Sequence, residues 1–225
     1  MQVNAVGNNY NYPNNGRNLG FGTILKNNAP KVLKFEKDGS ITDRFVCVLS
    51  GPSGVGKDSI LNKFNEKYPF FSRVVTCTTR NPRPGEVNGV NYHFLGVDEF
   101  KKGIENNDFI EYQEVYTDRF YGTRERDVDA ALEKGKNVVM TIDVNGATEI
   151  KKKRPDVLSI FVTLDPSELV KRLAGRGTET PAEIAERVGK ASWENKFQDK
   201  YDIVIRNDKL DDSVEELAEI FGLKK

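Results

Sequence analysis

The stretch Leu49-Ser50-Gly51-Pro52-Ser53-Gly54-Val55-Gly56-Lys57-Asp58-Ser59 restricts the folds open to this chain more than any other. It satisfies the pattern G-x-x-x-x-G-K-[ST] at every fixed position except the last, where Asp58 stands. A loop of this kind turns successive backbone N–H groups inward around an anion. The helix that follows points its positive dipole end at the same place. The geometry needs a buried strand before the loop and a helix after it, and the sequence carries both. Phe45-Val46-Cys47-Val48-Leu49 is a continuous apolar run, as a strand covered on both faces requires. Ile60, Leu61 and Phe64 then recur at helical spacing up to about Tyr68. Lys57 is placed to reach the outer phosphates of a nucleotide, and a carboxylate replaces the hydroxyl that ordinarily ligates Mg²⁺.

Beyond the loop, strand-like and helix-like segments alternate. Strands are expected at 74–78, 90–95, 109–115, 137–142, 158–164 and 201–205, and helices at 98–106, 124–134, 145–154 and 211–221. Two further helix starts are signalled chemically. Asp165-Pro166-Ser167-Glu168 and Thr180-Pro181-Ala182-Glu183 each supply a capping side chain, a proline in the first turn and an acid at its third position. The alternation indicates an α/β fold, a P-loop NTPase-type doubly wound parallel sheet. A strand-rich insertion at about 76–123 interrupts it. Ligand sites in such folds lie beyond the carboxyl ends of the strands, where the glycine loop and Asp143 both fall.

Composition narrows the partners. The 34 basic and 34 acidic side chains balance to zero net charge, which argues against a general nucleic-acid or membrane-surface binder. No apolar run approaches the ~18 residues of a membrane span. Cys47 and Cys77 sit in apolar runs without CxxC or metal spacing and read as buried reduced thiols. His93, the one histidine, is given no catalytic role. Residues 1–42 differ in kind: seven of the first twenty are Asn, no acid occurs before Glu36, and the apolar segment of an export signal is missing. They read as a flexible Asn-rich arm in which Leu19 to Leu25 could form a short strand. A cytoplasmic monomer or homodimer is the expectation.

From Thr76 onward the motifs become specific. Thr78-Thr79-Arg80-x-x-Arg83-x-Gly85-Glu86-x-x-Gly89-x-x-Tyr92-x-Phe94 is followed by Phe109-Ile110-Glu111-Tyr112, Tyr121-Gly122-Thr123 and Ile142-Asp143-Val144-Asn145-Gly146. Arg172-Leu173-x-x-Arg176-Gly177-Thr178-Glu179-Thr180 and Val204-Ile205-Arg206-Asn207-Asp208 complete the series. In this order they resemble the guanylate kinases over residues 43–225. The resemblance implies phosphoryl transfer from ATP to GMP with Mg²⁺, on a core with a GMP-binding insertion at about 76–123 and a helical lid at about 174–190. Carried over residue by residue, it implies that Gly51 to Ser59 hold ATP. Arg80, Arg83, Tyr92 and Tyr121 hold the GMP phosphate, Thr76, Glu111 and Thr123 read or orient the guanine, and Asp143 lies on the base and ribose side. Lys57, Arg172, Arg176 and Arg187 act on the transferred phosphates.

The chemistry of these residue types agrees. Two arginines three apart on a proline-stiffened loop can grip one phosphate through charge-assisted bonds. Guanine presents N1–H and N2–H₂ side by side, and one carboxylate, here that of Glu111, can accept from both. Adenine presents a lone pair at N1, so the same carboxylate rejects it.

Four departures from the family pattern stand out. Asp58 follows Lys57 where the family has Ser or Thr, and Thr141-Ile142-Asp143 stands where it has Asp-x-Asp. The hydroxyl and the carboxylate have changed places, which is expected to leave Asp58 and Thr141 as Mg²⁺ ligands in a rearranged site. One extra residue also lies between Glu111 and Tyr121, and Asn145 stands in place of Gln. The competing functions are another small-molecule kinase of this fold, such as a ribose 1,5-bisphosphokinase, and a non-catalytic guanylate-kinase-like interaction module. The first lacks a reason for Glu111 and the arginine pair. The second lacks a reason for an intact phosphate loop.

Overall fold

A computed structural model describes residues 24–25, 45–69, 71–134, 137–175 and 180–223. In chain order these form β1 (Ile24–Leu25), β2 (Val46–Ser50), α1 (Lys57–Lys67), β3 (Phe71–Arg73), β4 (Cys77–Thr78), β5 (His93–Phe94), α2 (Val97–Glu105), β6 (Phe109–Tyr116) and β7 (Arg119–Arg124). There follow α3 (Glu125–Glu133), β8 (Asn137–Thr141), α4 (Val144–Lys153), β9 (Leu158–Thr163), α5 (Pro166–Gly175), α6 (Pro181–Glu194), a 3₁₀ turn (Asn195–Lys200), β10 (Ile203–Arg206) and α7 (Leu210–Ile220).

The main sheet runs β1-β10-β9-β2-β8-β3. All its pairings are parallel except that of β1, which adds antiparallel to β10 with Ile24 opposite Val204. Period-2 alternation on the central strands fills both faces. Cys47, Leu49, Val139, Ile160 and Val162 point into one core with α1, α5, α6 and α7. Val46, Val48, Val138, Met140 and Phe161 point into another with α3 and α4. This is the doubly wound arrangement that the apolar runs imply.

A second, mixed sheet has the order β5-β4-β7-β6. It covers α2 through a small core of Cys77, Phe100, Phe109 and Phe120, with Phe100 stacked on Phe109 at 4.3 Å. Both cysteines are buried and unbonded.

Three expectations are corrected here. Of the strand expected at 74–78 only Cys77–Thr78 pairs, and a separate strand, Phe71–Arg73, precedes it in the other sheet. Arg73 is the last residue to pair with β8, and Cys77 pairs with Gly122 and His93. The residues between cross from one sheet to the other. The strand at 90–95 shrinks to His93–Phe94 because 87–91 is a turn held by Val90 N–H and Asn91 N–H on the Val87 carbonyl. And β7 is a full strand where the sequence indicated only a motif. Both proline-led helices start as expected. Ser167 N–H donates to Asp165 Oδ1 at 2.9 Å, and Thr180 and Glu183 form a reciprocal capping box. Of the arm 1–42, only Ile24–Leu25 is among the described residues, and of the lid stretch 174–190, residues 176–179 are not.

Candidate active site

The phosphate loop leaves the carboxyl end of β2 and enters α1 at Gly56. This residue has left-handed backbone (φ 98°) and caps α1 without a side-chain bond. A Cβ there would also lie 2.5 Å from Asn207 Nδ2, so only glycine fits. The first N–H groups of α1 are left to an anion. Asn207 Nδ2 donates to the Val55 carbonyl at 2.6 Å and ties the loop to the end of β10. Lys57 curls over the loop and donates to the carbonyls of Gly51 at 2.6 Å and Pro52 at 3.0 Å. Its enclosure lowers its pKa, and the carboxylates of Glu194, Asp58 and Asp143 oppose that shift.

The arginines expected on the phosphates separate. Arg172 Nη2 donates to the carbonyls of Asn207 at 2.7 Å and Asp208 at 3.2 Å, and Nη1 to that of Val55 at 3.3 Å. In this arrangement it grips the backbone around the loop. Arg187, on α6, donates to Ser53 Oγ at 3.3 Å and so faces the loop itself. Arg176 lies outside the described residues.

At the mouth of the loop, Asp58 Oδ1 accepts from Thr141 Oγ1 at 2.9 Å and from Arg73 Nη2 at 3.4 Å. Asp58 and Thr141, two of the positions at which the chain departs from the family pattern, are therefore in contact. Among the described residues no group of three His, Cys, Asp or Glu side chains could hold a metal by itself. A carboxylate and a hydroxyl beside a phosphate loop do fit Mg²⁺. That ion takes one or two hard protein oxygens and completes its shell with phosphate and water.

The second sheet brings the remaining residues together. Arg80 makes a two-pronged ion pair with Glu86, at 2.6 Å and 2.5 Å, and its guanidinium lies over the Tyr92 ring at 4.9 Å. Tyr92 and Tyr121 meet edge to face at 6.0 Å. Glu86 Oε2 also accepts the Arg83 N–H at 2.7 Å. These bonds, the Arg80 one above all, draw the Glu86 pKa down to about 2. Glu86 stood in the motif without an assigned role; its position six residues after Arg80 was the only signal.

Glu111 and Thr123 face each other across β6 and β7, and Thr123 Oγ1 donates to Glu111 Oε1 at 2.7 Å. Glu111 is 6% exposed. Burial pushes its pKa up to about 7; the Thr123 bond opposes this and the charge of Asp143 adds to it. Glu111 lies over the start of α4. A Cβ on Gly146 would sit 2.9 Å from Glu111 Oε2, so this glycine makes room for the carboxylate. Asp143 caps α4 by accepting the Gly146 N–H at 2.9 Å. Thr76 lies where the chain crosses between the sheets, and its carbonyl accepts the His93 N–H at 2.9 Å. A cavity of about 410 Å³ opens beside this sheet, lined by the loop carrying Arg80 and Arg83 and by the β6–β7 hairpin.

A family model described as guanylate kinase matches residues 43–223. The guanylate kinase of Clostridium perfringens is 43% identical over 182 residues, covering 80% of this chain and 83% of that protein. The guanylate kinase of Bacteroides fragilis is 45% identical over 170 residues, covering 74% and 82%. Among solved structures, the guanylate kinase from Anaplasma phagocytophilum superposes with a TM-score of 0.64 at 28% identity, over 80% of this chain and 85% of that one.

Proposed function

The chain belongs to the guanylate kinase family, and from that premise we propose how its residues transfer the terminal phosphoryl group of ATP to GMP, giving ADP and GDP. The observation that carries the acceptor's identity is the buried Glu111–Thr123 pair. A buried, ionised carboxylate, anchored on one oxygen by a hydroxyl, accepts from N1–H and N2–H₂ of guanine. It would face the N1 lone pair of adenine. Leaving both partners unsatisfied in a buried site costs enough to discriminate by ~10⁴.

Residues 43–225 form the catalytic domain in this reading, with an acceptor insertion at about 76–123 and a lid at about 174–190. Gly51 to Ser59 hold the ATP phosphates through backbone N–H groups, and Lys57 leaves its loop carbonyls to meet them. Arg80 and Arg83, with Tyr92 and Tyr121, hold the GMP phosphate; Glu86 keeps the arginine pair oriented before substrate arrives. Thr76 orients the base and Asp143 the base and ribose side. Arg187 and Arg176 bring positive charge from the lid onto the transferred phosphoryl group, where charge stabilisation and positioning do most of the catalysis. Arg172 holds the loop in shape. Asp58 and Thr141 would hold Mg²⁺, which when bound neutralises phosphate charge.

The test is ADP formation from ATP with GMP, dGMP, AMP or ribose 1,5-bisphosphate as acceptor, with and without Mg²⁺. Turnover with GMP far above AMP supports the reading. Equal use of AMP, or preference for ribose 1,5-bisphosphate, overturns it.

A further inference from the structure

Arg73 belongs to none of the sequence motifs, yet the main sheet places it beside Asp58 and Thr141 at the phosphate loop. It ends β3, in register with Val139 on β8. Val139 and Phe71 both point into the core on the α1 face of the sheet. Side chains alternate along a strand, so residues two apart share a face. Arg73, two positions after Phe71, and Thr141, two after Val139, therefore take the α1 side at the carboxyl ends of neighbouring strands. Asp58 meets them there from the first turn of α1.

Arg73 Nη2 lies 3.4 Å from Asp58 Oδ1, the oxygen that also accepts from Thr141 Oγ1 at 2.9 Å. The ion pair is long and open to solvent, its side chains 45% and 66% exposed. A pair of this kind adds little to stability and parts readily. What it changes is charge. Asp58 sets a full negative charge beside a loop that receives phosphates, where the loop pattern ordinarily has a hydroxyl. Lys57, the preceding residue, directs its ammonium to the carbonyls of Gly51 and Pro52. Arg73 is within bonding reach of the carboxylate, and a guanidinium keeps its charge at every working pH.

We propose that Arg73 is a positioning residue of the ATP site: it serves as the counter-ion of Asp58 in the metal-free loop and gives up the carboxylate when Mg²⁺ is bound. This rests on the reading of Asp58 and Thr141 as metal ligands. Arg73 and the metal are then alternative cations for one carboxylate, and each weakens the other's hold on it. The carboxylate is not left bare beside the phosphates in either state. Metal-free ATP is repelled less than Asp58 alone would dictate, and the gain in ATP affinity on adding Mg²⁺ is correspondingly smaller.

The experiment measures ATP binding by calorimetry, without acceptor, in excess chelator and again at saturating Mg²⁺. It compares the full-length protein with Arg73→Ala, Arg73→Lys, Asp58→Asn and the Arg73→Ala/Asp58→Asn double variant. In Arg73→Ala the Kd for metal-free ATP should rise roughly three- to fivefold, while the Kd with Mg²⁺ stays within about 1.5-fold or falls. Arg73→Lys keeps the charge and should stay within about 1.5-fold in both conditions. In the Asp58→Asn background, Arg73→Ala should change the ratio of the two Kd values by less than about 1.5-fold. Equal weakening with and without Mg²⁺ in Arg73→Ala marks a direct phosphate contact or a structural role and overturns the inference. A change of ratio that persists at full size in the Asp58→Asn background overturns it too, and the metal-ligand reading then still stands. If Asp58→Asn gains as much affinity from Mg²⁺ as the unsubstituted protein, the metal-ligand reading fails and the inference with it.

Discussion

The carboxylate of Asp58 and the hydroxyl of Thr141, 83 positions apart in the chain, meet at 2.9 Å at the mouth of the phosphate loop. One lies in the first turn of α1 and the other ends β8, so the parallel pairing of β2 with β8 brings them together. The exchange of hydroxyl and carboxylate expected from the sequence predicts that the pair acts as one unit. In a mutant cycle, Asp58→Ser alone removes the carboxylate and Thr141→Asp alone sets two carboxylates against each other. Each is expected to lower kcat/KM for ATP by roughly tenfold at limiting Mg²⁺, and the double variant should regain most of it. Contacting residues couple by ~0.5–3 kcal/mol; strictly additive losses would end the idea of an exchanged site. Binding of ATP in excess chelator supplies a second readout. Asp58→Asn should bind metal-free ATP several-fold tighter, because it removes a like charge beside the phosphates.

In the reading proposed above, Glu111 makes the acceptor site sensitive to pH. Its pKa is pushed up to about 7 by burial, and only the ionised form accepts from both guanine donors. The KM for GMP should rise as pH falls below about 7, with kcat for saturating substrate much less affected. Stability moves the other way. A carboxyl group whose folded pKa lies above its unfolded value contributes its stability below about 4.5 and loses it as pH rises through about 7. Glu111→Gln should therefore melt higher than the unsubstituted protein at pH 8 in the absence of ligand, while its KM for GMP rises by ~10² or more. A flat KM profile between pH 5.5 and 8 would show that Glu111 does not titrate against substrate.

The two ends of these arguments were unequally legible in the sequence. The phosphate loop, the motif around Glu111 and the two proline-led helix starts depend on side chains within a few positions of one another, and such local chemistry is visible in the order of residues. The role of Arg172 was not, because its three acceptors are main-chain carbonyls on Val55, Asn207 and Asp208, and any sequence offers carbonyls. The strand at 74–78 was misjudged because Val74 is buried without pairing. Apolar character reports burial, and pairing is decided by which sheet the chain is leaving.

The amino-terminal strand gives a truncation experiment. Ile24–Leu25 cover the edge strand β10 through antiparallel pairing. Deleting 1–22 spares that cover, and melting temperature and turnover should stay within about 2 °C and twofold. Deleting 1–30 removes it and bares the N–H and C=O groups of Ile203 and Val204 to other chains. Turnover per soluble molecule should persist while aggregation at raised concentration increases, read by light scattering. Equal solubility of the two truncations would mean that β1 does not protect the edge.

Arg172 and Arg187 test the division between holding the loop and acting on the phosphoryl group. Arg172→Ala removes three charge-assisted bonds to carbonyls around the loop. Only the bond to Asn207, at 2.7 Å, is short; one such bond to a charged group is worth ~1.5–3 kcal/mol, so the variant should melt roughly 5–10 °C lower and show a raised KM for ATP. Lysine cannot span the three acceptors, and Arg172→Lys should repair little of this. Arg187 makes a 3.3 Å bond to Ser53 Oγ, a weak contact in the absence of nucleotide. Its contribution is expected when charge moves in the transition state. Arg187→Ala should then leave melting temperature and both KM values near normal while kcat falls by ~10². The opposite pattern, with loss of kcat in Arg172→Ala and loss of stability in Arg187→Ala, would exchange the two roles.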